Sequence, residues 1–342
     1  VIPKEDAMGY RNASAQVFSG RNGQIIDLYS LFKAHTFCIL HTLKYKYYTV
    51  ALNLHRLQLE NILDKTTQLW VKITGRRIDP DEFSWLIGPV GDPDQIGEKF
   101  VERLIVKESL SCTSNEPNSG LMEDINVLRF SEAEQKRLNP EVADFYEQTS
   151  NYEIEFWSSW SGIIRPFGWL LSVLFNKRLH QLNLPLNPMD SSRGLNSQII
   201  KLKNDDKTKW TIWFRTLKSN NRVIYSGIYT HCFPPKYSTP LLKVIFPLPN
   251  GNASVIMTKK VENDGSLLLS SDGKTFGQNG FYFTLTDHKG KYWAKYVKSM
   301  HEWIRVYQDS DNILRADHNL NFYGMRFLSL HYKMRKKRLA TT

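Results

Sequence analysis

Among the 342 residues of this chain, His301-Glu302 and Asp317-His318 have the types and spacing best suited to acid–base chemistry. Each dipeptide couples an imidazole, which titrates near neutrality, with a carboxylate that can orient it or exchange its proton. The two lie on neighbouring candidate strands, 301–308 and 313–322, separated by the turn-forming stretch Asp309–Asn312. Pairing across that turn would bring the dipeptides together. Were both to point inward, they would form a proton-transfer or metal-binding constellation. His318 shares the two-residue period of Leu314, Ala316, Leu320 and Phe322, which assigns it to their apolar face. A histidine there is more often a hydrogen-bonded core or pocket residue than a catalyst, and both roles stay open.

The chain is otherwise poor in catalytic signatures. It has no GxSxG elbow, phosphate-binding GxxxxGK[ST] loop, HExxH, GxGxxG or CxxC. No cofactor and no metal is implied. The three cysteines, Cys38, Cys112 and Cys232, are widely spaced, which fits a reducing compartment better than a disulfide framework. In Met189–Gly194, Arg193 among small polar residues could hold an anionic group; a turn capped by Asp190 is the other reading. Asn12-Ala13-Ser14 and Asn252-Ala253-Ser254 match the glycosylation pattern, which matters only in a secretory context. The chain begins at Val1 rather than Met, so a preceding leader stays open.

Charge is divided unevenly. Residues 1–140 carry 17 Lys+Arg against 18 Asp+Glu, whereas residues 141–342 carry 28 against 16, so the net +11 arises in the second part. Seven of the nine tryptophans lie there too. That balance suits an anionic partner or simply a solvated basic surface, and the terminal run Lys333, Arg335, Lys336, Lys337 and Arg338 admits both readings. Trp210, Trp213, Trp293 and Trp303 fall inside alternating strands and read as core or pocket lining, which argues against nucleic acid.

The most apolar stretch is Phe156–Phe175, whose only charged residue is Arg165. Its serines, Arg165 and Pro166 dilute it as a membrane span, leaving a core helix or an interfacial, pocket-gating helix. Pro166 places a break near Ile164–Pro166. Beyond it, 167–182 is amphipathic, with Phe167, Leu170, Leu171, Leu174 and Phe175 opposite Ser172, Asn176, Lys177 and His180.

Residues 1–26 read as an extension and 27–138 as a mainly helical region, including 93–108, capped by Asp92 with Pro93 at its start. Helices follow at 131–137, where Ser131 and Glu134 form a capping-box pattern, and at 140–149. From 197 the texture changes to short strands. Turn dipeptides such as Asn250-Gly251, Asp264-Gly265 and Asn279-Gly280 recur every 8–12 residues, with a last strand at 325–334. The connections are too short for parallel crossovers. The fold class is α+β: residues 139–338 form a strongly curved antiparallel sheet of about ten strands packed against an amphipathic helix, and 339–342 form a tail.

The helix 167–182, the hairpin-rich 208–308 and the closing LRADHNLNFYGMRFLSLHY (314–332) together resemble the helix-grip arrangement of START-type proteins. The stretch 139–196 is also similar to part of bacterial proteins of unassigned function. The START-type likeness covers about half the chain and brings no diagnostic motif, and its long helix precedes the strands instead of following them, so no site residue carries over. It implies a deep cavity for a lipid-like guest between the sheet and residues 156–182. Trp160, Trp169, Trp213, Tyr225, Tyr229, Phe283 and Arg193 are the expected lining. Trp157, Trp160, Lys177 and Arg178 are the expected peripheral membrane contacts of an otherwise cytoplasmic protein. A binding protein for an apolar ligand is therefore the leading expectation. A cyclase-, isomerase- or hydrolase-type enzyme using His318, Asp317, His301 and Glu302 is the alternative.

Overall fold

A computed structural model describes residues 65–91, 98–161, 194–218, 221 and 223–337. The fold rests on two-residue alternation in segments bounded by turn residues. Residue 65 begins the described part of helix α1, which runs to 74. It is followed by β1 (Arg76–Ile78), a 3-10 turn at Ser84–Leu86, α2 (Glu98–Glu108) and β2 (Ser111–Ser114). Next come α3 (Glu132–Arg137), α4 (Pro140–Glu147) and β3 (Tyr152–Trp160). The strand-rich part holds β4 (Leu195–Asn204), β5 (Lys207–Leu217), β6 (Val223–Cys232), β7 (Leu241–Leu248), β8 (Gly251–Val261) and β9 (Leu267–Ser270). It continues with β10 (Gly280–Thr286), β11 (Tyr292–Tyr296), β12 (Met300–Gln308), β13 (Leu314–Phe322) and β14 (Met325–Lys336).

The fourteen strands among the described residues belong to one antiparallel sheet whose main path runs β2-β4-β5-β6-β7-β8-β9-β12-β13-β14-β3. It forks at β8. One edge of β8 pairs with β7, while the other pairs first with β10, along Gly251–Ile256, and then with β9, along Thr258–Val261. The β10 branch continues to β11 and β1. The main path curls until β3, at one end, comes against β4 near the other, without a hydrogen-bonded ladder between them. The sheet is thus unclosed.

Two layers bury the central strands. Phe100, Val101 and Leu104 of α2 pack on outward residues of β4, β5, β6 and β7, and Trp85 and Leu86 pack on those of β7, β8 and β10. Covered on both faces, β5 through β8 carry nearly continuous buried runs, while β12 and β13 keep an outward polar face and the alternation expected of one-sided burial. The inner face forms the largest apolar cluster, closed along one side by α4 through Val142, Phe145 and Tyr146.

Helix α3 has the predicted cap, and α4 is capped as well. Ser131 Oγ accepts from Glu134 N while Glu134 returns a bond to Ser131 N, and Asn139 caps α4 with Pro140 at its first position. The β13–β14 hairpin turns on Tyr323 and Gly324, both at positive φ (49° and 79°), which is type I′ geometry matching the twist of its strands.

Three expectations are corrected. Among the described residues the sheet has fourteen strands, not about ten, because β1, β2 and β3 join it from segments read as helix, loop and apolar helix. In the described part of 27–138, read as mainly helical, strands β1 and β2 stand beside the helices and join the sheet. Finally, Phe156–Trp160 ends strand β3 and starts no helix. Tyr152, Ile154, Phe156 and Ser158 are buried while Glu153, Glu155, Trp157 and Ser159 are exposed, a period of two that ladder pairing with β14 enforces. The extension 1–26, the Asp92–Pro93 cap, the Ile164–Pro166 break, the helix 167–182, Arg193, Cys38 and Arg338 lie outside the described residues.

Candidate ligand cavity

The curled sheet leaves its inner space incompletely filled. A cavity of about 120 Å³ is walled by alternate residues of β5 through β10 and β12 through β14, with Leu121, Phe145 and Tyr146 closing one side. Its walls are mainly aliphatic and aromatic: Leu242, Val244, Met257 and Leu330 are typical. Half-buried Phe246, Phe281, Met300, Ile304 and His318 mark the side nearest solvent. Few voids larger than a water molecule survive in protein interiors. At ~24 cal/mol per Å³, an empty space this size costs about 3 kcal/mol of stability.

Polar groups interrupt the apolar wall, and β5 supplies the most unusual. Arg215 follows Trp213 by two residues, so strand geometry points both inward. Arg215 is only 5% exposed, and its Nε has no hydrogen-bond partner. No carboxylate forms an ion pair with it among the described residues. Aromatic rings surround it instead: its guanidinium carbon lies 4.1 Å from the Trp213 ring centroid, 4.0 Å from that of Tyr225 and 5.6 Å from that of Tyr332. Each such contact is worth about 0.5–2 kcal/mol, whereas removing a charge from water costs several. The rings offset part of that cost and leave Nε unsatisfied. The Trp213 indole is held by its own bond, donating to Ser197 Oγ at 2.8 Å.

On β6, Tyr225 and Tyr229 share a hydrogen bond between hydroxyls 3.0 Å apart. Gly227 sits between them. A Cβ there would fall 2.6 Å from the Tyr225 hydroxyl, so the bare backbone is what lets the phenol lie along the strand toward Tyr229. Burial lifts the Tyr225 phenol well above its ordinary value and pushes Tyr229 up to about 12.

Glu302 and His318 are polar lining groups from β12 and β13. Register places Ile304 opposite His318 and Leu320 opposite Glu302, so the two side chains meet on a diagonal of the β12–β13 ladder. His318 Nε2 lies 2.9 Å from Glu302 Oε2, with the side chains 17% and 8% exposed. Ser271 fixes the start of β12, its Oγ accepting from Glu302 N at 2.8 Å and its N–H donating to Glu302 O at 3.0 Å. A carboxylate oriented on one imidazole nitrogen sets the other up to exchange a proton. His318 Nδ1 has no hydrogen-bond partner among the described residues.

The expected site residues divide by strand phase. Trp213, Tyr225, Tyr229, Glu302 and His318 line the cavity. His301 and Asp317 have the opposite phase and face outward: His301 Nδ1 bonds the Ser271 carbonyl at 3.0 Å, and Asp317 pairs with His331 Nδ1 at 2.7 Å. Phe283 lies beyond the cavity, edge-on to Trp70 of α1 at 5.7 Å. Trp160 packs against Phe327 and is not among the residues lining this cavity, whereas Trp157 is 44% exposed. Trp169, Lys177, Arg178 and Arg193 lie outside the described residues. Arg215, Tyr332 and the α4 pair Phe145 and Tyr146 were missed. The signal marking Arg215 is its phase, a charge in step with Trp213 inside the otherwise uncharged run Trp210–Leu217.

Among the described residues no His, Cys, Asp and Glu cluster could hold a metal ion, and no helix is long and apolar enough to cross a membrane. No family model matches the chain, and no solved structure matches it. It is similar to the uncharacterized membrane protein YndJ of Bacillus subtilis (strain 168), with 26% identity over 247 residues, or 70% of this chain. The aligned part is 41% of that relative, so the chain spans about two fifths of its length. Similarity to a protein of unassigned function thus stands; START-type membership has no support from these comparisons.

Proposed function

We propose that the protein binds a small apolar ligand in the cavity of its curled sheet. The observation carrying this reading is a mainly apolar space of about 120 Å³ that the core leaves unfilled. It suits a ring-sized or short-chain body, smaller than the sterol that START-type likeness suggests; a longer tail would have to leave past Met300 and Ile304. A protein binding such guests at a membrane is in keeping with the name of its Bacillus relative and with Trp157 outward on β3.

Calorimetry with toluene tests the reading on the full chain. Wild type should bind saturably. Ala316→Leu, which adds three carbons to a buried wall residue, should abolish binding while keeping the fold by circular dichroism. Absence of toluene binding, with no small molecule recovered by organic extraction of gently purified protein, sinks it.

One observation favours a second reading. The Glu302–His318 pair is an acid–base couple inside the same cavity, as an isomerase- or hydrolase-type enzyme would need. Glu302→Gln should preserve toluene affinity under both readings. Under the second it should also abolish any turnover found by screening small acids and esters.

A further inference from the structure

We propose that the cavity takes its ligand as a monoanion, an organic acid entering head first, with its carboxylate on Arg215. This rests on the cavity being the ligand site. Arg215 supplies a buried positive charge on the wall, with an unpartnered Nε and no ion pair among the described residues. Trp213 and Tyr225 hold their ring centroids about 4 Å from the guanidinium carbon with the two rings 70° apart, and neither gives Nε a hydrogen-bond acceptor. A carboxylate meets that need because a guanidinium presents its donors as a fork matching two carboxylate oxygens.

The other wall groups decide charge and direction. Glu302 is already engaged by His318, so it does not neutralise Arg215 by direct contact, and its own negative charge opposes a second one on the ligand. That argues for a carboxylate over a phosphate monoester dianion. Arg215 is deep, whereas the half-buried Phe246, Phe281, Met300 and Ile304 are apolar. An acid entering head first leaves its apolar body against those residues.

Calorimetry of the full chain with benzoate, benzamide, phenyl phosphate and toluene provides the test. In wild type, benzoate should bind about 100-fold more tightly than its uncharged isostere benzamide, a difference of about 2.7 kcal/mol. Phenyl phosphate should be weaker than benzoate. Arg215→Met should erase the preference for benzoate over benzamide. Arg215→Lys, which keeps a point charge without the fork, should retain part of it. The wild-type series decides the matter even if Arg215→Met does not fold. Toluene binding with benzoate and benzamide equal overturns the anion site alone, and phenyl phosphate tighter than benzoate overturns the monoanion. If no probe binds at all, the cavity reading falls with it.

Discussion

At the scale of single residues, the cavity depends on small differences in phase along strands. Tyr225 reaches Tyr229 and Arg215 because residue 227 is glycine and leaves the inner face of β6 bare between them. Gly227→Ala should therefore displace the phenol, lower stability by about 1–3 kcal/mol as overpacked core sites do, and weaken benzoate more than toluene. Urea midpoints and calorimetry check both halves; unchanged benzoate affinity would remove Tyr225 from the site. Outward neighbours matter less. His301 and Asp317 sit one residue from Glu302 and His318 yet lie on the other face of the sheet, with partners of their own.

At the scale of elements, α3 and α4 show how local chemistry fixes a helix before packing does. The run Glu132–Arg137 buries no residue, so its hydrogen-bonded cap carries much of its order. Ser131→Ala should cost about 1 kcal/mol, read as a lower urea midpoint with an unchanged slope. Helix α4 does the reverse, burying Val142, Phe145 and Tyr146 to close the cavity. These two helices and the strands from β4 to β14 were legible in the sequence because caps, turn dipeptides and a two-residue period all act within a few positions. Strand β3 was not. Its alternation is masked by bulky Trp157 on the outward face and by the apolar residues that follow Trp160. Its place is set by β14, more than 160 residues away along the chain.

Across the whole molecule, the surplus of buried phenols sets the response to alkali. Burial pushes Tyr229 up to about 12, and Tyr146, Tyr225 and Tyr282 rise as well. In the unfolded chain these groups ionise near 10. The folded state then holds protons that the unfolded state releases, so their contribution is intact below pH 10 and is lost as pH climbs through the folded values. Lys243, pushed down to about 8 by burial, acts in the opposite sense between there and 10.5. Its single charge is outweighed above pH 10 by four phenols. Urea midpoints should hold or rise from pH 8 to 10 and fall by pH 11; a midpoint still rising at pH 11 would contradict the assignment.

The sequence by itself determined the strands from β4 onward, most of their turns, the antiparallel sense and the inward phase of His318. Each of these is a local property, fixed by sterics and by whether a residue two positions on meets water. Only the tertiary structure decided that the sheet forks at β8, that β3 forms its far edge, and that Glu302 meets His318 while Arg215 meets no carboxylate among the described residues. Those outcomes depend on which distant strands compete for the same buried face, and a charge is left unpaired only when every neighbour the fold supplies is already engaged or apolar.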